Sequence, residues 1–147
     1  MCISFAQYLI HKVHSMKIPK EVKELFDQVP VMALSTVDKS GMPNVSAIAS
    51  KKIVDSDTLI TIDTFHRKTL DNINHNAHVA IALWKDGVGF QIKGRAEHYT
   101  QGEIFESAKK WILKTKPKKI VKGVILIKVE EVYYLTPDYS LAGKKCE

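Results

Sequence analysis

A guanidinium, an ammonium and a hydroxyl fall in succession at Arg67, Lys68 and Thr69. They follow a β-branched run, Thr58-Leu59-Ile60-Thr61-Ile62-Asp63, and precede Leu70-Asp71-Asn72-Ile73. The pattern places them where a strand gives way to a helix. The first turn of a helix leaves backbone N–H groups unpaired and carries partial positive charge. Cations and a hydroxyl added there make a receiver for a phosphate. The competing reading is a solvated, basic helix start that binds nothing, since basic pairs are common.

Other residue types offer less. His75 and His78 have the spacing of a metal pair, but no third ligand is near in sequence, so no metal site is assigned. His66 stands beside the basic pair, where it contacts a ligand or lies free on the surface. No Gly-x-Gly-x-x-Gly follows a strand, and no Gly-x-Ser-x-Gly is present, which argues against a dinucleotide-binding Rossmann unit and a serine hydrolase. Tyr133 and Tyr134 are adjacent in a strand and point to opposite faces, so they form no joint stacking platform for nucleic acid. Trp111 falls on a helical apolar stripe and reads as core. Trp84 ends a strand before a turn, where it lines an interface or pocket or simply packs.

The elements that must position these groups are mostly strands. Pro19 opens a helix with Val22, Leu25, Phe26 and Val29 on one side, which Pro30 ends. Residues 31–37 and 43–54 alternate as two strands of a hairpin around Asp38-Lys39-Ser40-Gly41. Residues 58–63 form the third strand, 67–74 a short helix burying Leu70 and Ile73, 79–84 the fourth strand and 89–99 the fifth. Gly94 inside the fifth marks a bulge or a close backbone approach. Thr100 and Glu103 have capping-box spacing before a helix bearing Ile104, Phe105, Ala108, Trp111 and Ile112. Lys114, Lys116 and Pro117 end it, and residues 123–136 form the last strand. Six strands joined by short turns describe an antiparallel barrel with flanking helices, because a parallel sheet needs crossover helices.

The 147 residues fit one domain. A net charge of +6 favours an anionic partner, although most of it comes from scattered lysines. Cys2 and Cys146 lie at opposite ends and make no disulfide framework, which fits a reduced, cytoplasmic compartment. No apolar run is long enough to span a bilayer. Residues 1–15 lack a basic leader and read as an extension, or as a short helix with Phe5, Leu9 and Val13 on one side; residues 16–147 form the domain.

The order of these pieces resembles the FMN-binding split-barrel family, which includes pyridoxamine 5′-phosphate oxidase and the small FMN-binding proteins. The resemblance is carried by Ala33-Leu34-Ser35-Thr36-Val37, the turn to Pro43, Val45-Ser46-Ala47-Ile48, Ile62-Asp63-Thr64-Phe65-His66-Arg67-Lys68-Thr69, Asn72-Ile73, Val79-Ala80-Ile81 and Gly94-Arg95-Ala96-Glu97. It implies a six-stranded Greek-key split barrel, mainly β, and a homodimer with FMN at the interface. By position, Arg67, Lys68 and Thr69 take the phosphate. Ser46, Ala47 and Ile48 line the ring, Asp63 and Thr64 run beside the ribityl chain or ring edge, and Gln91 is a further contact. Flavin N5 would exchange hydride or electrons with a small-molecule donor or acceptor, so no catalytic side chain is assigned. The ending Leu141-Ala142-Gly143-Lys144-Lys145 lacks the tryptophan- and arginine-containing segment of the oxidase, and Ser46 stands where that enzyme has arginine. The first departure points away from vitamin B6 oxidase activity, and the second implies that one phosphate contact of that enzyme is absent. A flavin carrier or sensor, a basic barrel that binds nucleic acid, and the same fold holding deazaflavin or haem are the alternatives.

Overall fold

The computed structural model describes residues 15–147, so the short helix read at Phe5, Leu9 and Val13 lies outside the described residues. Helix α1 (Lys20–Gln28) leads into seven strands: β1 (Met32–Val37), β2 (Pro43–Ile48), β3 (Lys51–Asp55), β4 (Thr58–Asp63), β5 (His78–Lys85), β6 (Val88–Tyr99) and β7 (Gly123–Tyr134). Helix α2 (Lys68–His75) joins β4 to β5, and α3 (Glu103–Thr115) joins β6 to β7. All pairings are antiparallel, in the order β2-β1-β5-β6-β7-β4-β3.

The expected strand over residues 43–54 is therefore two strands, and among the described residues the count is seven, not six. β1 begins at Met32, opposite Ile48, so beyond Ile48 the chain has no partner on β1. It turns at Ala49-Ser50 and pairs with β4 instead. Ser50 pins the crossing: its carbonyl accepts from Ile62 N at 2.8 Å and from Thr61 Oγ1 at 3.2 Å. The two edge strands of the sheet are thus neighbours in sequence, and the sheet curls into a split barrel.

Alternation feeds two cores. Met32, Leu34, Leu59, Ile81, Ile92, Ile125 and Ile127 join α1 in the larger one. Ile60, Ile62 and Val124 face the other way and meet Phe105, Ala108 and Ile112 of α3. Every residue of β4 is consequently buried, as a strand covered on both faces requires. Gly94 marks both features expected of it. The register shifts between Lys93 and Gly94, and a Cβ at Gly94 would stand 2.1 Å from Lys128 O. The expected capping box does not form. Gly102, at φ 88°, occupies the N-cap position of α3, and no side chain caps the helix. The left-handed backbone there suits glycine and carries the chain past Thr100 before the helix starts.

Candidate functional site

The junction from β4 to α2 and the edge strand β2 face each other across a groove of about 300 Å³. Ser46, Ala47, Ile48, Ala49 and Ser50 form one wall, and Ile62, Thr64, Phe65 and His66 form the other, with Lys119 joining them. Ser46, Ala47, Ile48 and Thr64, four residues singled out from the sequence, meet here. β2 pairs only with β1, so its outward backbone N–H and C=O groups are open to a ligand. Phe65 stands at the site with 82% of its surface exposed, an unusual position for a phenylalanine without a partner.

Arg67 is the N-cap residue of α2 and Lys68 its first helical residue. Both are exposed, and among the described residues neither forms an ion pair. Thr69 differs from them. It is 2% exposed, and its hydroxyl donates to Ser46 Oγ at 3.0 Å and accepts from Asn44 Nδ2 at 3.3 Å. This leaves the hydrogen of the Ser46 hydroxyl free for a further acceptor. Thr36 completes the network, accepting from Asn44 Nδ2 at 3.2 Å and from Asn72 Nδ2 at 2.9 Å. The N-terminus of α2 is thereby bolted to the edge strand.

Asp63 and Thr64 also turn inward. The Asp63 carboxylate is 96% buried, accepts from His66 N at 3.2 Å, and sits 3.1 Å from His98 Nε2. His66 Nδ1 lies 3.4 Å from the same carboxylate. Thr64 Oγ1 donates to Ile120 O at 2.7 Å. These two residues shape the turn that carries His66 and Arg67. Gln91 lies elsewhere. It continues a row across the outer face of the sheet, Ala47–Ala33–Ala82–Gln91–Tyr133. His75 ends α2 and His78 starts β5. Among the described residues, no group of three or more histidine, cysteine, aspartate or glutamate side chains is placed to hold a metal ion.

Asn44, Phe65, His98 and Lys119 were not singled out from the sequence. His98 and Lys119 lie 35 and 56 residues from Asp63 and carry no local signal of their pairing with its turn. Asn44 and Phe65 sit inside motifs already read and differ from their neighbours only in which way they face.

The pyridoxamine 5′-phosphate oxidase family profile matches residues 18–136, which includes every element of the groove. The chain belongs to that family. An uncharacterized protein of Methanocaldococcus jannaschii is 37% identical, over 92% of this chain and 95% of its own length. Among solved structures, HupZ of Group A Streptococcus superposes with a TM-score of 0.77 at 29% identity, covering 88% of this chain and 99% of HupZ. An FMN-binding protein from Syntrophomonas wolfei shares the fold with a TM-score of 0.67 at 20% identity, covering 78% of this chain and 83% of that one. Family membership also accounts for the seven-stranded sheet with three helices as a split barrel. No described helix is long and apolar enough to cross a membrane.

Proposed function

We propose that this chain is an FMN-binding flavoprotein that exchanges electrons with a small molecule, acts in the cytoplasm, and is not the vitamin B6 oxidase. The observation that supports it most is a groove between an open strand edge and the turn after β4, with two unpaired cations at the start of α2, next in sequence to its lining residue His66. Arg67 and Lys68 receive the phosphate, assisted by the open N–H groups of the first turn of α2. The edge of β2 at Ser46–Ile48 offers donors and acceptors that match the pyrimidine edge of a flavin, and the free Ser46 hydrogen adds another. Ala47, Ala49 and Phe65 provide the apolar surface, backed by the buried Ile48 and Ile62. Thr69, Asp63 and Thr64 hold these groups in place from behind. A bound flavin supplies hydride or electron transfer at N5, and the protein supplies position and electrostatics.

The outer face of the sheet supports a homodimer. Val31, Val45 and Trp84 are each more than half exposed, around a floor of Ala33, Ala47 and Ala82. The buried side chains of α1 and α2 face the opposite side. In this reading the groove opens beside a second copy, and Trp84 is an interface residue.

The test is flavin titration by fluorescence quenching. The wild-type protein should bind FMN and turn yellow. Changing Arg67→Ala together with Lys68→Ala should weaken FMN by about 2–4 kcal/mol, roughly 30- to 1000-fold, while riboflavin, which has no phosphate, loses little. Unchanged FMN affinity would remove the phosphate assignment. A colourless protein that takes up a deazaflavin or haem instead would replace the cofactor but keep the groove.

A further inference from the structure

A titratable ring stands in the wall of the groove. His66 lines it at the turn between β4 and α2, with a side chain only 11% exposed. Its Nδ1 lies 3.4 Å from the Asp63 carboxylate and is buried without a hydrogen bond. Of the two ring nitrogens, only Nδ1 is sealed in this way among the described residues. A ring whose Nδ1 edge is turned inward meets the groove with the opposite edge, which carries Nε2. The carboxylate behind it is fixed from two sides. Oδ1 accepts from His66 N at 3.2 Å, and Oδ2 lies 3.1 Å from His98 Nε2 on β6. Gly123 makes room for that second contact, since a Cβ there would collide with the His98 ring. The charged and titratable groups around His66 are Asp63 of β4, His98 of β6, Arg67 and Lys68 at the start of α2, and Lys119 of the connection from α3 to β7.

A neutral imidazole carries one proton, so one ring nitrogen donates and the other accepts. With the proton on Nδ1, beside the carboxylate, Nε2 turns a lone pair to the groove and repels an anion there. With the proton on Nε2, a lone pair faces Asp63 instead. Either neutral form therefore sets a lone pair against a negative charge once the groove holds an anion. The imidazolium has a donor on each edge and suits both neighbours. An opposite charge at close range favours the charged form of a titratable group. Asp63 supplies one such charge but shares it with His98. A bound anion supplies the second, and its arrival is the event that shifts the balance toward the charged ring.

We propose that His66 is a further contact for the phosphate of the groove's ligand and binds it as the imidazolium, so that FMN binding takes up a proton. The inference rests on the flavin reading, which gives the phosphate to Arg67 and Lys68, the two residues directly after His66. One anion is involved, held by two permanent cations and one conditional one. The proton comes from solvent when the ligand enters and returns to it when the ligand leaves. Asp63 is a positioning residue, which keeps the Nδ1 edge inward and the Nε2 edge on the groove.

Calorimetric titration with FMN in two buffers of different ionisation enthalpy counts the protons exchanged. At about pH 7.5 a free phosphate monoester is almost wholly dianionic, so uptake there reports on the protein. The wild type should take up roughly half a proton or more per FMN, and none with riboflavin, which has no phosphate. His66→Gln should abolish the uptake and weaken FMN about three- to tenfold, with riboflavin unchanged. His98→Gln should keep the uptake, because that ring faces Asp63 and not the groove. Wild-type protein that binds FMN without proton uptake, or uptake that survives in His66→Gln, would overturn the contact and leave the phosphate with Arg67 and Lys68. If the wild type binds no FMN, the flavin reading fails separately. The same paired titration with sulfate, an anion that does not titrate in this range, then decides His66. Uptake that His66→Gln removes would uphold the contact, and no binding or binding without uptake would overturn it.

Discussion

Thr69 ties the start of α2 to the edge strand. Its hydroxyl is sealed between Asn44 and Ser46, where it accepts from one and donates to the other. Thr69→Val keeps the shape and deletes both bonds, leaving the Asn44 amide short of an acceptor. The variant should lose about 1–2 kcal/mol of stability in urea denaturation and weaken flavin binding modestly, since Ser46 is no longer oriented. That Arg67 and Lys68 stand together at a helix start was legible from sequence, because the two residues are adjacent. The inward turn of Thr69 and Asp63 was not. A threonine next to two cations reads as a third phosphate contact, and its bonds to Asn44 and Ser46 become visible only once α2 is packed on β2. The His98–Asp63 contact joins residues 35 positions apart and leaves no trace in either neighbourhood.

At the scale of elements, the close passage of β6 over β7 depends on Gly94. Alanine there would put a Cβ 2.1 Å from the Lys128 carbonyl, so the strands must part. Gly94→Ala should cost about 2–3 kcal/mol or more, read as a lower denaturation midpoint. The turn between β3 and β4 is held by Asp57, which accepts from Thr58 Oγ1 at 2.7 Å and from Lys128 Nζ at 3.0 Å. The Thr58 hydroxyl first, then Lys128, lower its pKa from 3.8 to about 2. A depressed carboxylate stabilises the fold above its unfolded pKa, and that contribution is lost as pH falls from 3.8 towards 2. Thermal melts of Asp57→Asn should therefore show a shallower decline across that window than the wild type, with the two curves converging at the acid end. Equal slopes would assign the acid sensitivity elsewhere. Strand and helix identities were largely readable from periodicity, because β-branched alternation and the α3 stripe are strong local signals. The break at Ala49-Ser50 was not readable: alternation runs straight through it, and its cause is the absence of β1 backbone opposite.

For the whole molecule, the outer sheet face makes the dimer testable. Trp84→Glu combined with Val45→Glu places charge where 62% and 67% of those side chains are exposed, so the fold should survive. Sedimentation should report a dimer for the wild type and a monomer for the variant. A monomeric wild type would sink the interface and leave Trp84 to another partner. Class and family were legible at this scale because the order of short turns and one interposed helix constrains the topology tightly. A barrel followed from the run of short turns, but which strands form its two edges did not, since no local residue encodes it.

The placement of β4 has a consequence for how the chain is made. It is buried on both sides, yet its sheet partners are β3, just before it, and β7, some 60 residues later. While a ribosome is still extending the chain through α3, a fully apolar-flanked strand waits with one margin unmatched. Closure must wait for β7, and a nascent chain stalled before Gly123 should be recognised by chaperones as unfinished.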